Sequence, residues 1–170
     1  MAGTGPTDLH ALAVELLTAS AAALDTIPVY EASLGGAPLR QVIAPGTVVL
    51  DCCDQLAVNV GTINEGASEL GGNINNITLI VTISRCVPVP DSSGNPPSVE
   101  DQTASSAQIN ADKWALWNYL HHLINESLLF EKCCRVQWGP LAPLSPSGGC
   151  GGSTLTITVC FDGYEVVLST

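Results

Sequence analysis

The chain reads as one α+β domain, a mostly antiparallel sheet packed against an N-terminal helix and a long second helix. Three observations predict it. Apolar residues recur at three- and four-residue spacing in two separated segments, one near the N-terminus and one after position 98. Period-two alternation marks residues 55–62, 77–85 and 154–161. The strands follow one another instead of alternating with helices, which favours segregated layers over a parallel α/β sheet. The 170 residues suit a single core, and neither an internal repeat nor a shift in composition divides them.

Thr7 or Asp8 can cap a first helix whose stripe is Leu9, Leu12, Leu16, Ala19 and Ala23, running out near Asp25. Its alanine-rich second half allows close packing on more than one side, and Pro28 lies beyond its end. Residues 29–47 are irregular, with glycines at 35, 36 and 46 and prolines at 38 and 45, and read as a loop or a loose edge strand. A short strand is expected at 48–50 and a longer one at 55–62, where Leu56, Val58 and Val60 alternate with smaller or polar residues. Residues 64–75, rich in Gly and Asn, read as a connection or hairpin loop.

Ile77, Leu79, Val81 and Ile83 form one face of the strongest strand; Thr78, Ile80, Thr82 and Ser84 form the other. Both faces tolerate burial, which predicts a central position. A proline-rich loop over 87–98 follows, long enough to suggest a functional role. Ser98 with Asp101 resembles a capping box and opens the longest helix, expected over 99–130. Its first turns are polar. Trp114, Trp117, Leu120, Ile124 and Leu128 then form a stripe suited to covering a sheet. Trp138 ends a short apolar run before a Pro/Gly loop expected over 139–153, in which Pro140, Pro143 and Pro146 precede Gly148, Gly149, Gly151 and Gly152. Leu155, Ile157, Val159 and Phe161 form the buried face of the next strand, and 165–169 suggest a last short strand or a tail.

Hydrophobic residues make up 46% of the chain and charged residues 12%, a low-charge surface that suggests cover by other subunits. Asp and Glu number 16 against 5 Lys and Arg, a formal net charge of -11. Arg40, Arg85, Lys113, Lys132 and Arg135 form no basic run, which excludes nucleic-acid binding through phosphates. Met1 to Thr7 lacks the basic start of a signal peptide, and no stretch reaches the roughly 18 apolar residues of a membrane span, so synthesis in a cytoplasm without membrane association is expected.

Cys52 with Cys53, Cys133 with Cys134, and the pair His121 and His122 invite a zinc reading. Zinc ligands are normally spaced two to four residues apart, whereas adjacent cysteines on a strand face opposite sides, so no metal is assigned. Cys52, Cys53, Cys133, Cys134 and Cys150 are candidates for a disulfide or for buried thiols, with the pairing open and Cys52 with Cys150 one possibility. Cys86 and Cys160, at or beside strand ends, read as small core residues. Histidines 10, 121 and 122 could act as bases, but no nucleophile elbow, phosphate loop or metalloprotease helix occurs. The glycines around Cys150 precede a strand and not a helix, which removes a phosphate cradle. Asp51, Asp54, Glu65 and Glu69 match no calcium loop. The expectation is a protein without enzymatic activity and without a cofactor. A thiol- or metal-dependent enzyme is a lower alternative, and an acidic mimic of DNA is disfavoured because the carboxylates are spaced out.

Several segments together suggest a family. They are Asp51-Cys52-Cys53-Asp54-Gln55-Leu56 leading into a strand, Ser84-Arg85-Cys86-Val87-Pro88 closing the next, the proline-rich loop before a long helix, and Trp138-Gly139-Pro140-Leu141 followed by Gly148-Gly149-Cys150-Gly151-Gly152. The chain resembles the small neck proteins of siphophages infecting actinobacteria, most closely the tail terminator type, over nearly its whole length. The resemblance implies a virion protein, assembled in the host cytoplasm as a homo-oligomeric ring, expected to be a hexamer, at the head-proximal end of the tail tube. There it would stop tail polymerisation and join the tail to the head. Its implied partners are the major tail tube protein, a head-tail connector or stopper protein, and double-stranded DNA crossing an acidic lumen without specific binding. A connector or stopper ring is the alternative within the same neck. On this reading Pro90, Asp91, Pro96 and Pro97 in one loop, and Trp138, Pro140, Pro143, Gly148 and Gly149 in the other, are candidate inter-subunit or inter-ring contacts. The run 90–97 and the run 142–146 depart most from the family pattern.

Overall fold

The computed structural model describes residues 9–25, 40–44, 54–67, 73–131, 133 and 135–162. Its elements in chain order are α1 (Leu9–Asp25), β1 (Arg40–Ala44), β2 (Gln55–Ala67), β3 (Asn73–Cys86), α2 (Val99–Asn125), β4 (Arg135–Ser147) and β5 (Cys150–Asp162). The strands form one five-stranded sheet in the order β1-β2-β3-β5-β4. Every pairing is antiparallel except β1 with β2, which is parallel. The α+β class and the two helices thus agree with the expectation, and β3 is central.

The core is the helix-covered face of the sheet. Leu56 and Val58 on β2, Ile77, Leu79, Val81 and Ile83 on β3, and Leu155, Ile157, Val159 and Phe161 on β5 are all buried there. Leu12, Leu16, Ala19, Ala23 and Leu24 of α1 and Leu116 and Leu120 of α2 complete the cluster. Full burial of a Leu such as Leu16 or Leu79 contributes roughly 1.5–3 kcal/mol each. In α1 the small Ala13, Ala19, Ser20 and Ala23 are buried beside the leucines, so the apolar face is wide and the neighbours approach closely. Glu15 of α1 accepts the Phe130 N–H at 2.9 Å and fixes the chain that leaves α2.

Four expectations are revised. The strands of the β2–β3 hairpin extend to Ala67 and restart at Asn73, so most of the loop expected at 64–75 is strand. The polar residues there pair across the hairpin, with Asn64 opposite Asn76 and Glu65 opposite Asn75, and need no core. The loop expected over 139–153 is strand on both sides of a two-residue turn. Pro140 and Pro143 fit within β4 because it is an edge strand, where a missing N–H costs no ladder bond, and register shifts fall between Trp138 and Leu141 and between Leu144 and Ser147. Gly148 and Gly149, at φ 58° and 81°, make the turn between the paired Ser147 and Cys150. Two successive positive φ values are the signature of a type I′ hairpin, which favours glycine at both positions.

Helix α2 stops at Asn125 and not at Phe130. Ser127 adopts φ 55°, and the Leu128 N–H reaches back to the Leu123 carbonyl at 2.8 Å, with Ser127 N–H to Ile124 O at 3.1 Å. That is a Schellman ending built on serine instead of glycine. The fourth revision concerns the stripe of α2: Leu120 is buried and Trp117 and Ile124 pack partly against the core, but Trp114 is 68% and Leu128 60% exposed. The strand expected at 48–50 and the last segment 165–169 lie outside the described residues. No helix among the described residues is long and apolar enough to cross a membrane.

Candidate functional site

The proline-rich loop and the Gly148-Gly149 turn lie at one end of the sheet. There β3 ends at Cys86, paired with Cys150, and the Val87 N–H donates to the Gly149 carbonyl at 2.8 Å. The proline-rich loop is stiffened at its tip by Asp91. Its Oδ1 accepts the N–H groups of Ser93 and Asn95 at 2.8 and 2.9 Å, and its Oδ2 accepts the Asn95 side-chain amide at 2.8 Å. These bonds, the Asn95 side chain first, hold the Asp91 carboxyl below the usual carboxylate range. Pro90, Asp91 and Pro96 are exposed, Pro97 is half-buried, and Gly148 is exposed beside half-buried Gly149. This end of the domain is therefore a shaped surface, with Val89 56% exposed on it. Pro140 and Pro143 stand apart from this end, on the edge strand β4. Ser98 then starts α2, its Oγ accepting the Asp101 N–H at 3.0 Å and its hydroxyl donating to Asp101 Oδ2 at 2.7 Å.

Behind the loops an ion pair is buried between sheet and helix. Arg85 of β3 meets Asp112 of α2 through a two-pronged contact, Nε to Oδ2 at 2.8 Å and an Nη to Oδ1 at 2.9 Å. Their relative exposures are 3% and 0%. Asp54, which has φ 55°, lies 3.5 Å from Arg85 on its other side. Burial pushes the Asp112 carboxyl up, against the hydrogen bond and charge of Arg85, which pull it down. Burial lowers the Arg85 guanidinium, but the hydrogen bonds and charges of Asp112 and Asp54 overcome it and leave it raised. The spacing of Asp112 four residues before buried Leu116 and eight before Leu120 was the available signal, since it places a carboxylate on the core stripe of α2.

A second feature joins α2 to β4. His121 stacks flat on Trp138, with ring centroids 3.7 Å apart and planes 8° from parallel, and Trp117 leans on both at 4.4 and 5.3 Å. The His121 Nε2 is covered and has no hydrogen-bond partner among the described residues. Burial accordingly holds His121 below its ordinary value of 6.5. The cluster borders an open cavity of about 470 Å³ between the end of α2, the turn after it and β4, walled also by Leu129, Phe130 and Cys133. The sequence places Trp117 and His121 one turn apart, but nothing in it shows that Trp138 meets them. A proton-transferring imidazole needs its nitrogen in reach of a reactant. Here Nε2 is covered, and the stack packs the helix against the edge strand.

Among the cysteines, Cys86, Cys133 and Cys160 carry thiols; Cys133 is half-buried, and Cys160 donates to Asn76 Oδ1 at 2.8 Å. Cys150 is disulfide-bonded. Cys52, Cys53 and Cys134 lie outside the described residues, as do Asp51 and Glu69. Among the described residues no three His, Cys, Asp or Glu side chains gather as a metal would require. No known family model matches the chain, and no curated protein matches it.

Proposed function

We propose that the chain is a structural protein of a phage neck, forming a ring, hexameric by preference, at the head-proximal end of the tail tube. In this role it ends tail polymerisation and joins the tube to the head connector, while double-stranded DNA passes through the ring without specific binding. The observation that carries the reading is the protomer's apolar surface. Val99 is 73%, Trp114 68%, Leu128 60%, Val89 56% and Ile63 53% exposed. These residues lie on α2, the proline-rich loop, the turn after α2 and the β2–β3 hairpin, and neighbouring subunits in the ring would cover them.

The resemblance to tail terminators supplies the kind of assembly, and the α+β architecture is compatible with it. The net charge of -11 supports a passage from which DNA is repelled. At physiological salt that repulsion reaches only about 8 Å, so it prevents adhesion and does not drive transport. The shaped loop end, with the Asp91-stiffened loop beside the Gly148-Gly149 turn, is the surface assigned to a neighbouring ring.

Native mass spectrometry and averaged electron images of the full chain test the reading: a six-fold ring supports it, and a stable metal-binding monomer overturns it. Deleting the gene separates the two neck roles. Tails of uncontrolled length mark a terminator, and heads that fail to retain DNA mark a stopper.

A further inference from the structure

Among the described residues the two edges of the sheet lack ladder partners at the same level. On one side β1 pairs only with residues 55–59 of β2, so residues 60–67 of β2 have ladder partners in β3 alone among the described residues. This stretch contains no proline and one charge, Glu65, and residues 61–65 are exposed. On the other side β4 is the edge strand, and prolines at 140, 143 and 146 deny N–H donors to most of its length. Only its first part, residues 135–139, is proline-free.

The registers align these two stretches. Ile63 pairs with Ile77, Ile77 with Val159, and Val159 with Val136. One row along, Asn64 leads through Asn76 and Cys160 to Arg135. On the other side of the first row, Thr62 bonds Thr78 at 3.3 Å, and Thr78 leads through Thr158 to Gln137. The Ile63 row is on the helix-covered face, where Ile77 and Val159 are buried, yet Ile63 is 53% exposed at its end. The flanking rows carry polar side chains on the opposite face.

We infer that residues 61–64 of β2 take residues 135–138 at the start of β4 of a second copy as an antiparallel strand, head to tail, with Ile63 opposite Val136. Strand polarity permits it. From β2 to β4 the sheet passes through three antiparallel pairings, so β2 and β4 run in opposite directions, and a second protomer in the same orientation continues the sheet antiparallel. The side chains match row by row: Ile63 gains an apolar neighbour, Thr62 meets Gln137 and Asn64 meets Arg135. A slip of one residue would put each of these on the wrong face. A head-to-tail contact uses two different surfaces of each copy and closes into a ring when the rotation permits. The inference deepens the ring reading and rests on it for closure.

The test blocks one edge at a time in the full chain. Adjacent residues of an antiparallel strand turn their N–H groups alternately into and out of the ladder. Ile63→Pro and Asn64→Pro are therefore made separately for β2, and Val136→Pro and Gln137→Pro for β4. From each pair the variant that retains the parent's circular dichroism is used. Native mass spectrometry should show the unmodified chain as a multiple of 17.6 kDa, each edge variant as a monomer, and a mixture of the two variants as a dimer, because one intact β2 edge and one intact β4 edge remain. Amide exchange on the unmodified chain reads the contact without substitution, with outward N–H groups of 61–64 and 135–138 protected in the assembly and exchanging at least tenfold faster on dilution. Edge variants that assemble as the parent does, or unprotected amides in an intact assembly, overturn the strand pairing and leave the ring reading standing. A β4 variant that still dimerises overturns it in favour of β2 pairing with itself. An unmodified chain that stays a monomer overturns both.

Discussion

Replacing Asp112 by Ala removes the carboxylate that pairs with the buried Arg85 guanidinium, which is 3% exposed and lies 3.5 Å from Asp54 on its other side. Both short hydrogen bonds to Asp112 are lost, at a position that is 0% exposed in the parent. Removing one partner of a buried pair costs about 3–5 kcal/mol, chiefly through the uncompensated charge. Domains of this size typically hold about 5–15 kcal/mol in all. The expected loss lowers the melting temperature by roughly 6–20 °C at about 2–4 °C per kcal/mol. Urea unfolding should give a lower midpoint with an unchanged slope. The pair itself is another matter. Because burial leaves the folded Asp112 pKa above 3.8, the folded chain holds that proton more tightly than the unfolded chain, and the group's contribution to stability falls as pH rises from 3.8 through the folded value. Ionising the carboxylate inside the fold is therefore a net cost, and the double variant Arg85→Met with Asp112→Leu should recover to within about 1 kcal/mol of the parent. A loss below about 1 kcal/mol for Asp112→Ala would refute the reasoning, since it would mean that the guanidinium finds water or another acceptor.

Three further outcomes are expected. His121, held below 6.5 by burial, contributes stability that is complete above pH 6.5 and is lost as pH falls from there through its folded value; the melting temperature should drop between pH 7.5 and 5.5, and His121→Gln should remove most of that drop. Gly152→Ala should destabilise by about 3 kcal/mol or prevent folding, because a Cβ there would lie 1.9 Å from the Ile83 carbonyl oxygen and 2.9 Å from its carbon, and recovery of soluble protein with a parental urea midpoint would count against the close β3–β5 approach. Ser127→Gly should raise stability by about 1 kcal/mol in the same assay, since it relieves the left-handed residue that ends α2.

The sequence and the structure agree where a residue's role depends on its own neighbours along the chain. Leu56 and Val58, Ile77 to Ile83, and Leu155 to Phe161 announce their strands through alternation because one face of each is buried. The stripe of α1 is legible for the same reason. Reading fails where the deciding partner is remote. Prolines 140 and 143 argue against a strand only if both sides are paired, and the edge position of β4 is a property of the whole sheet. Ser127 ends α2 without the glycine that would have marked the stop. The polar ends of β2 and β3 resemble a loop because their pairing, Asn64 with Asn76 and Glu65 with Asn75, needs only each other.

The same distinction separates the candidate sites. The Pro90 to Pro97 loop and the Gly148-Gly149 turn were visible as chemistry of the local backbone, but that Val87 bonds Gly149 follows from the β3–β5 register. The His121–Trp138 stack and the Arg85–Asp112 pair join residues 17 and 27 positions apart, beyond the reach of any helical or strand period. Both fasten α2 to the sheet at opposite ends of its buried half, Asp112 towards the loops and His121 towards the start of β4. The exposed turns of α2 before Asp112 thus extend from a segment that is clamped twice. A helix held at both points, with Val99 and Trp114 exposed, is a fixed surface for the neighbours that the proposed ring would supply.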